Sequence, residues 1–110
     1  MTAVPDQLQQ VLLNLIQNAV QATPPGGRVA IRARTEDDRR VIEVEDTGVG
    51  IAAEHLPRIF DPFFTTRHKG TGLGLFVAHG IVQRHQGTLE VSSEPGKGTT
   101  FRIRLPANPA

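Results

Sequence analysis

Apolar residues in the opening segment, PDQLQQVLLNLIQNAVQAT, gather on one helical face: Leu8, Val11, Leu12, Leu15, Ile16, Ala19 and Val20. That stripe predicts an amphipathic helix, opened by Pro5 or Asp6 and stopped by the TPPGG run. The period then changes to two. RVAIRAR and RRVIEVE alternate apolar with charged residues around the polar TEDD, which predicts an antiparallel hairpin. DTGVGI follows the second strand directly. From Ala52 to Gly70 the pattern weakens, so a short helix over AEHLPRIF is expected, then an irregular, mobile flap containing Phe60, Phe63 and Phe64. Helical spacing returns in LGLFVAHGIVQRHQG, with Gly87 as the expected stop. TLEVSS and TTFRIRLP form a second hairpin around EPGKG.

Helix, hairpin, flap, helix, hairpin favours an α+β two-layer sandwich, helices on one face of a largely antiparallel sheet. No linker or repeat divides the 110 residues, and 38% hydrophobic content is enough for one core, so residues 1–110 read as one domain. The chain has no run long enough to span a membrane and no signal-peptide pattern, and it reads as cytoplasmic. Zero cysteines exclude disulfides and thiolate metal sites. Ten of the twelve basic residues are arginines, several alternating along the strands. They are expected to form a solvated sheet face. With no tyrosine or tryptophan to stack on bases, nucleic-acid binding is not expected.

Candidate chemistry starts at GTGLGL, where Gly70, Gly72 and Gly74 alternate with Thr71, Leu73 and Leu75. Bare backbone ahead of a helix presents N–H groups to an anion, and phosphate is the natural candidate. Neither the Walker spacing nor the dinucleotide fingerprint fits, and a glycine-rich turn capping a helix remains an open reading. Asn14 and Asn18, four apart, share a helix face; their amides could enter a pocket and hold a hard cation such as Mg²⁺, or simply meet solvent. Asp46 ends a strand ahead of Gly48, Gly50 and Ile51. It could accept the exocyclic amine of an adenine ring, with the glycines allowing close approach, or close an ordinary Asx turn. Arg67 and Lys69 suit a triphosphate as mobile cations, or stand as a solvated charge pair. The four histidines form no metal pattern and are expected on helix surfaces or in the flap.

NLIQNA at 14–19, DTGVGI at 46–51, FDPFFTT at 60–66 and GTGLGL at 70–75 occur in an order and spacing that resembles the ATP-binding catalytic domain of bacterial sensor histidine kinases. The resemblance covers nearly the whole chain and extends to GKGTTFRIRLP. It implies a Bergerat-type ATP-binding fold with a mixed, largely antiparallel sheet and a flexible ATP lid. It also implies Asn18 as the Mg²⁺ ligand, Asn14 beside the phosphates, Asp46 on the adenine amine, Thr99 in the nucleotide site, and the GTGLGL residues as the phosphate loop.

Two departures accompany it. Many relatives carry a basic residue where Gln21 stands, so Arg67 or Lys69 is expected to supply more of the phosphate charge. The chain also begins almost at the Asn helix and holds no acceptor His-Glu pair, so the preceding strand and the phosphoacceptor helices are expected to be missing. The expected function is to bind Mg-ATP and donate its γ-phosphate to a histidine on a separate dimerising domain, from which a response regulator takes it. Three alternatives stay open: a gyrase-, chaperone- or mismatch-repair-type ATPase, an anti-sigma serine kinase, and a non-catalytic nucleotide-binding module. ATPases of that type place a glutamate base where this chain has Asn14, and an amide cannot take a proton from water.

Overall fold

The computed structural model describes residues 5–62 and 74–106. Helix α1 runs Pro5–Ala22, and strands β1 (Val29–Glu36) and β2 (Arg39–Asp46) form the first hairpin. A 3-10 turn at Leu56–Arg58 precedes α2 (Gly74–Arg84), and β3 (Thr88–Glu94) with β4 (Gly98–Pro106) form the second hairpin. The sheet order is β1-β2-β4-β3, and every pairing among these strands is antiparallel. This is the expected two-layer α/β sandwich. The first hairpin turns on Asp37 and Asp38, with Asp37 in the left-handed region at φ 52, where a short polar side chain is tolerated.

Both helices lie on one sheet face. Val11, Leu15 and Ala19 of α1 and Ala78, Ile81 and Val82 of α2 meet Val44, Leu89, Phe101 and Ile103 of the sheet, all nearly inaccessible to solvent. Burial of each large aliphatic or aromatic side chain there stabilises the fold by roughly 1.5–3 kcal/mol.

The opposite face carries the expected solvated arginines, with Arg32 and Arg34 exposed, but it also buries Val41 and Glu43 beneath them. Glu43 is 7% exposed and accepts from Arg34 Nη1 at 3.0 Å and Arg102 Nε at 2.6 Å, with Arg32 Nε at 3.7 Å. Arg32 also reaches Glu45, while Arg104 bridges Glu36 and Glu90. Hydrogen bonds from Arg34 and then Arg102 hold the Glu43 carboxyl below the usual carboxylate range. Those from Arg34 and then Arg104 do the same for Glu36. Val41, cross-strand from Arg34 and Arg104, is fully buried on this face. Arginine stems supply apolar cover while their heads stay wet, so alternation in the sequence did not mean exposure here.

Three local readings change. The helix expected over AEHLPRIF is a single 3-10 turn, since Pro57 has no N–H to continue a ladder. Residues up to 60 are packed rather than flap-like: Ile59 is buried, and the Phe60 ring stacks on His79 at 4.8 Å and meets Phe101 edge-on at 6.4 Å. Phe63, Phe64 and His68 lie outside the described residues. At the end of α2 the left-handed residue is Gln86, φ 62, not Gly87. Gln86 N–H bonds the Gln83 carbonyl and Gly87 N–H the Val82 carbonyl, a Schellman closure. Gly87 is needed for space instead, since a Cβ there would meet the Arg104 carbonyl at 2.4 Å. His85, expected on the surface, is 4% exposed, its Nδ1 donating to the Ile81 carbonyl at 2.8 Å.

Candidate functional site

The expected site residues fall into two groups joined by α1. At one end, half-buried Asn14 donates its amide Nδ2 to the Gly74 carbonyl at 3.1 Å and accepts from Gln10 Nε2 at 2.7 Å. This amide ties α1 to the first residue of α2, where the glycine-rich run ends. Leu75, next along, packs against the core. Asn18 follows Asn14 by one turn, half-buried on the same side of α1. Its carboxamide oxygen is a hard donor of the kind Mg²⁺ takes alongside water and phosphate oxygens, so the chemistry fits that ion. Among the described residues no cluster of histidine or carboxylate side chains offers a second metal position.

At the other end, α1 abuts the loop after β2. Val49 N–H donates to the Ala22 carbonyl at 3.1 Å, satisfying a terminal carbonyl that the helix cannot bond itself. Asp46, 3% exposed, accepts the Gly48 N–H on Oδ1 at 2.8 Å, the Asx turn that its sequence context allowed. Thr47 fastens the next loop: its N–H donates to the Arg28 carbonyl at 3.0 Å, and its hydroxyl accepts from Arg28 N–H at 2.8 Å. From Asn14 to Ala22 the helix rises about 12 Å, which sets the separation of the two groups.

The glycines of the loop work differently from the sequence expectation. A Cβ on Gly48 would meet the Ala22 carbonyl oxygen at 2.3 Å, and one on Gly50 the Glu94 carbonyl oxygen at 2.3 Å. What approaches them closely is the protein's own backbone, and Gly50 also holds φ 76. Gly74, by contrast, has open space around its Cβ position among the described residues.

The β3–β4 turn completes this end. Gly96 N–H donates to the Val49 carbonyl at 2.8 Å, and the Ser93 hydroxyl accepts from Ile51 N–H at 2.7 Å. Thr99 is the cross-strand partner of Asp46, so both side chains share the helix-facing side of the sheet. Thr99 is 4% exposed and lies 2.8 Å from the Ser93 hydroxyl. Ser93 was missed by sequence reasoning, because the loop it holds through Ile51 stands 42 residues away, and Gly98 entered only as part of the GKGTTFRIRLP resemblance, its close approach to the Asp46 carbonyl being tertiary. The structure brings Asp46, Gly48, Gly50, Ile51 and Thr99 together, and Asn14 together with Gly74. Arg67, Lys69, Gly70, Thr71, Gly72 and Leu73 lie outside the described residues. An open depression of about 290 Å³ at this end of the sheet is lined by Asp46, Ser93 and Thr99 of this convergence together with Glu45, Ser92 and Thr100 of the arginine face.

Comparison with known proteins extends the picture. The profile of the histidine kinase-, DNA gyrase B-, and HSP90-like ATPase family matches residues 3–109. The sensor histidine kinase ZraS of Escherichia coli K12 is 51% identical over 106 residues, covering 96% of this chain and 23% of that protein. The chain thus spans less than a quarter of the length of the curated relatives heading the comparison. Among solved structures, a mycobacterial sensor histidine kinase, MprB, superposes with a TM-score of 0.89 at 31% identity, covering all of this chain and 78% of that one. Full-length ShkA in complex with AMPPNP superposes at 0.85 with 36% identity, covering 94% of this chain and 22% of that one. No helix among the described residues is long and apolar enough to cross a membrane.

Proposed function

Given that the chain belongs to the histidine kinase-, DNA gyrase B-, and HSP90-like ATPase family, we propose that it is the ATP-binding catalytic domain of a sensor histidine kinase. It binds Mg-ATP and passes the γ-phosphate to a histidine on a separate dimerising domain, from which a response regulator takes it. The observation that carries this reading is the two-ended site on one helix. A buried carboxylate sits at the C-terminal end of α1, and two amides, Asn18 and Asn14, sit about one and two turns back along the helix, Asn14 reaching α2.

In this reading Asp46 accepts the adenine amine and Thr99 borders the same ring. Asn14 orients the phosphates, and Asn18 holds Mg²⁺ through its carboxamide oxygen. The ion, when bound, neutralises phosphate charge that Gln21 cannot. Arg67 and Lys69 add cationic charge, and the GTGLGL backbone donates to phosphate oxygens. Phosphoryl transfer chiefly requires positioning and charge neutralisation, both of which this set supplies. Asn14 stands where a hydrolytic relative would place a glutamate, and its amide is engaged with the Gly74 carbonyl, so water activation is disfavoured.

The test is radiolabelled ATP given to the chain alone and then with its acceptor helices. The expected result is binding with negligible phosphate release alone, and labelled acceptor histidine once the helices are present. Robust phosphate release by the chain alone would instead assign it to the ATPases.

A further inference from the structure

The Asn14 amide is held from two sides. Its Nδ2 donates to the Gly74 carbonyl at 3.1 Å, and its Oδ1 accepts from Gln10 Nε2, one turn earlier on α1, at 2.7 Å. The sense of both bonds follows from one partner. A carbonyl can only accept, so the Asn14 atom facing Gly74 must be its nitrogen, which leaves the oxygen toward Gln10. Gln10 must then turn its own NH₂ to that oxygen. Gln10 is exposed and Asn14 half-buried. Between Asp6 and Ala22 the helix carries no charged residue, so on α1 the amides alone set this orientation. Gln10 precedes the NLIQNA run, and its sequence context gave it no role.

Asn14 Nδ2 carries a second hydrogen, and a phosphate oxygen can only accept. With the Asn14 oxygen held by Gln10, that remaining N–H is what the amide offers an arriving phosphate. A flipped amide would set its oxygen against the Gly74 carbonyl and the phosphate alike, lone pairs against lone pairs. We infer that Gln10 is a positioning residue that fixes the sense of the Asn14 amide, so that Asn14 meets phosphate as a donor while staying tied to the first residue of α2. Gln10 touches neither phosphate nor metal in this scheme and acts only through Asn14. This rests on the phosphate reading of Asn14.

The experiment is titration calorimetry of the intact chain with Mg-ATP, using Gln10→Glu, which keeps the side-chain length and replaces the donor with a second acceptor. Facing a carboxylate, the Asn14 amide gains by flipping, so ATP affinity should fall by about three- to tenfold. A glutamate also repels phosphate directly, and Asn14→Ala separates the two effects. In that background no amide remains to turn, and Gln10→Glu should cost at most about twofold. An equal loss in both backgrounds, or no loss in Gln10→Glu alone, overturns the inference. Should Asn14→Ala bind too weakly to titrate, nuclear Overhauser contacts in the nucleotide-free protein decide. A contact from the Asn14 side-chain NH₂ to the Gly74 α-protons that is present in the wild type and lost in Gln10→Glu supports the inference, and one that survives overturns it. Unchanged ATP affinity in Asn14→Ala overturns the phosphate reading of Asn14 and the inference with it, leaving ATP binding intact. A wild type that binds no ATP overturns the proposed function as well.

Discussion

Replacing Asp46 with asparagine removes one charge and exchanges one oxygen for an amide nitrogen, with almost no change in volume. The Gly48 N–H can still donate to the remaining oxygen, now neutral, so the loop should keep its shape at a cost of about 0.5–1 kcal/mol. The consequence for an adenine amine is larger. An acceptor becomes a donor facing a donor, and loss of a charge-assisted hydrogen bond costs about 1.5–3 kcal/mol, or roughly ten- to hundredfold in Kd. Because Asp46 is only 3% exposed, salt should screen little of this. The adjacent Glu45 provides the control. Strand alternation puts it on the arginine face, where it pairs with Arg32 at 2.8 Å, so Glu45→Gln should leave affinity unchanged. Calorimetric titration with ATP, alongside urea denaturation to establish folding, measures both. Unchanged ATP affinity in folded Asp46→Asn, or equal weakening in Glu45→Gln, would refute the assignment of this carboxylate to the base.

Two further predictions concern the scaffold. In Gly98→Ala the new Cβ would stand 2.0 Å from the Asp46 carbonyl oxygen at a backbone φ of 132, so stability should fall by about 2–4 kcal/mol. Gly96→Ala, at φ 81 but with no described atom within 4 Å, should lose only about 1–2 kcal/mol, and equal losses in denaturant would mean that crowding at Asp46 is unimportant. Glu43→Gln should cost about 1–2 kcal/mol, discounted because its arginine partners remain partly exposed. The pH dependence of the wild type follows from Glu43 and Glu36, whose carboxyls are depressed in the folded state. The unfolded chain binds the extra protons, so their contribution is complete above about pH 4.5 and is lost as pH falls through the lower folded values. Thermal melts from pH 7 down to 3 should show a shallower acid decline in Glu43→Gln than in the wild type. Parallel curves would exclude Glu43 as a source of that dependence.

The sequence by itself determined the elements whose physics is local. A helical stripe from Leu8 to Val20, period-two strands on either side of polar turns, and an Asp-Thr-Gly turn after β2 were all legible, because each is written within a few residues. The order of four motifs was enough to indicate the family. Tertiary structure decided what depends on distant partners. Glu43 reads as an exposed strand residue until three arginines from two neighbouring strands close over it. Gly48 and Gly50 read as room for a ligand, yet the carbonyls of Ala22 and Glu94 fill that room, and neither approach exists until α1 and the second hairpin are docked. Ser93 carries no signal in its own neighbourhood. Its part in holding the loop arises only when the sheet sets it against Thr99 and the loop brings the Ile51 amide to its oxygen, contacts that a one-dimensional pattern cannot encode because the partners meet only in the folded sheet.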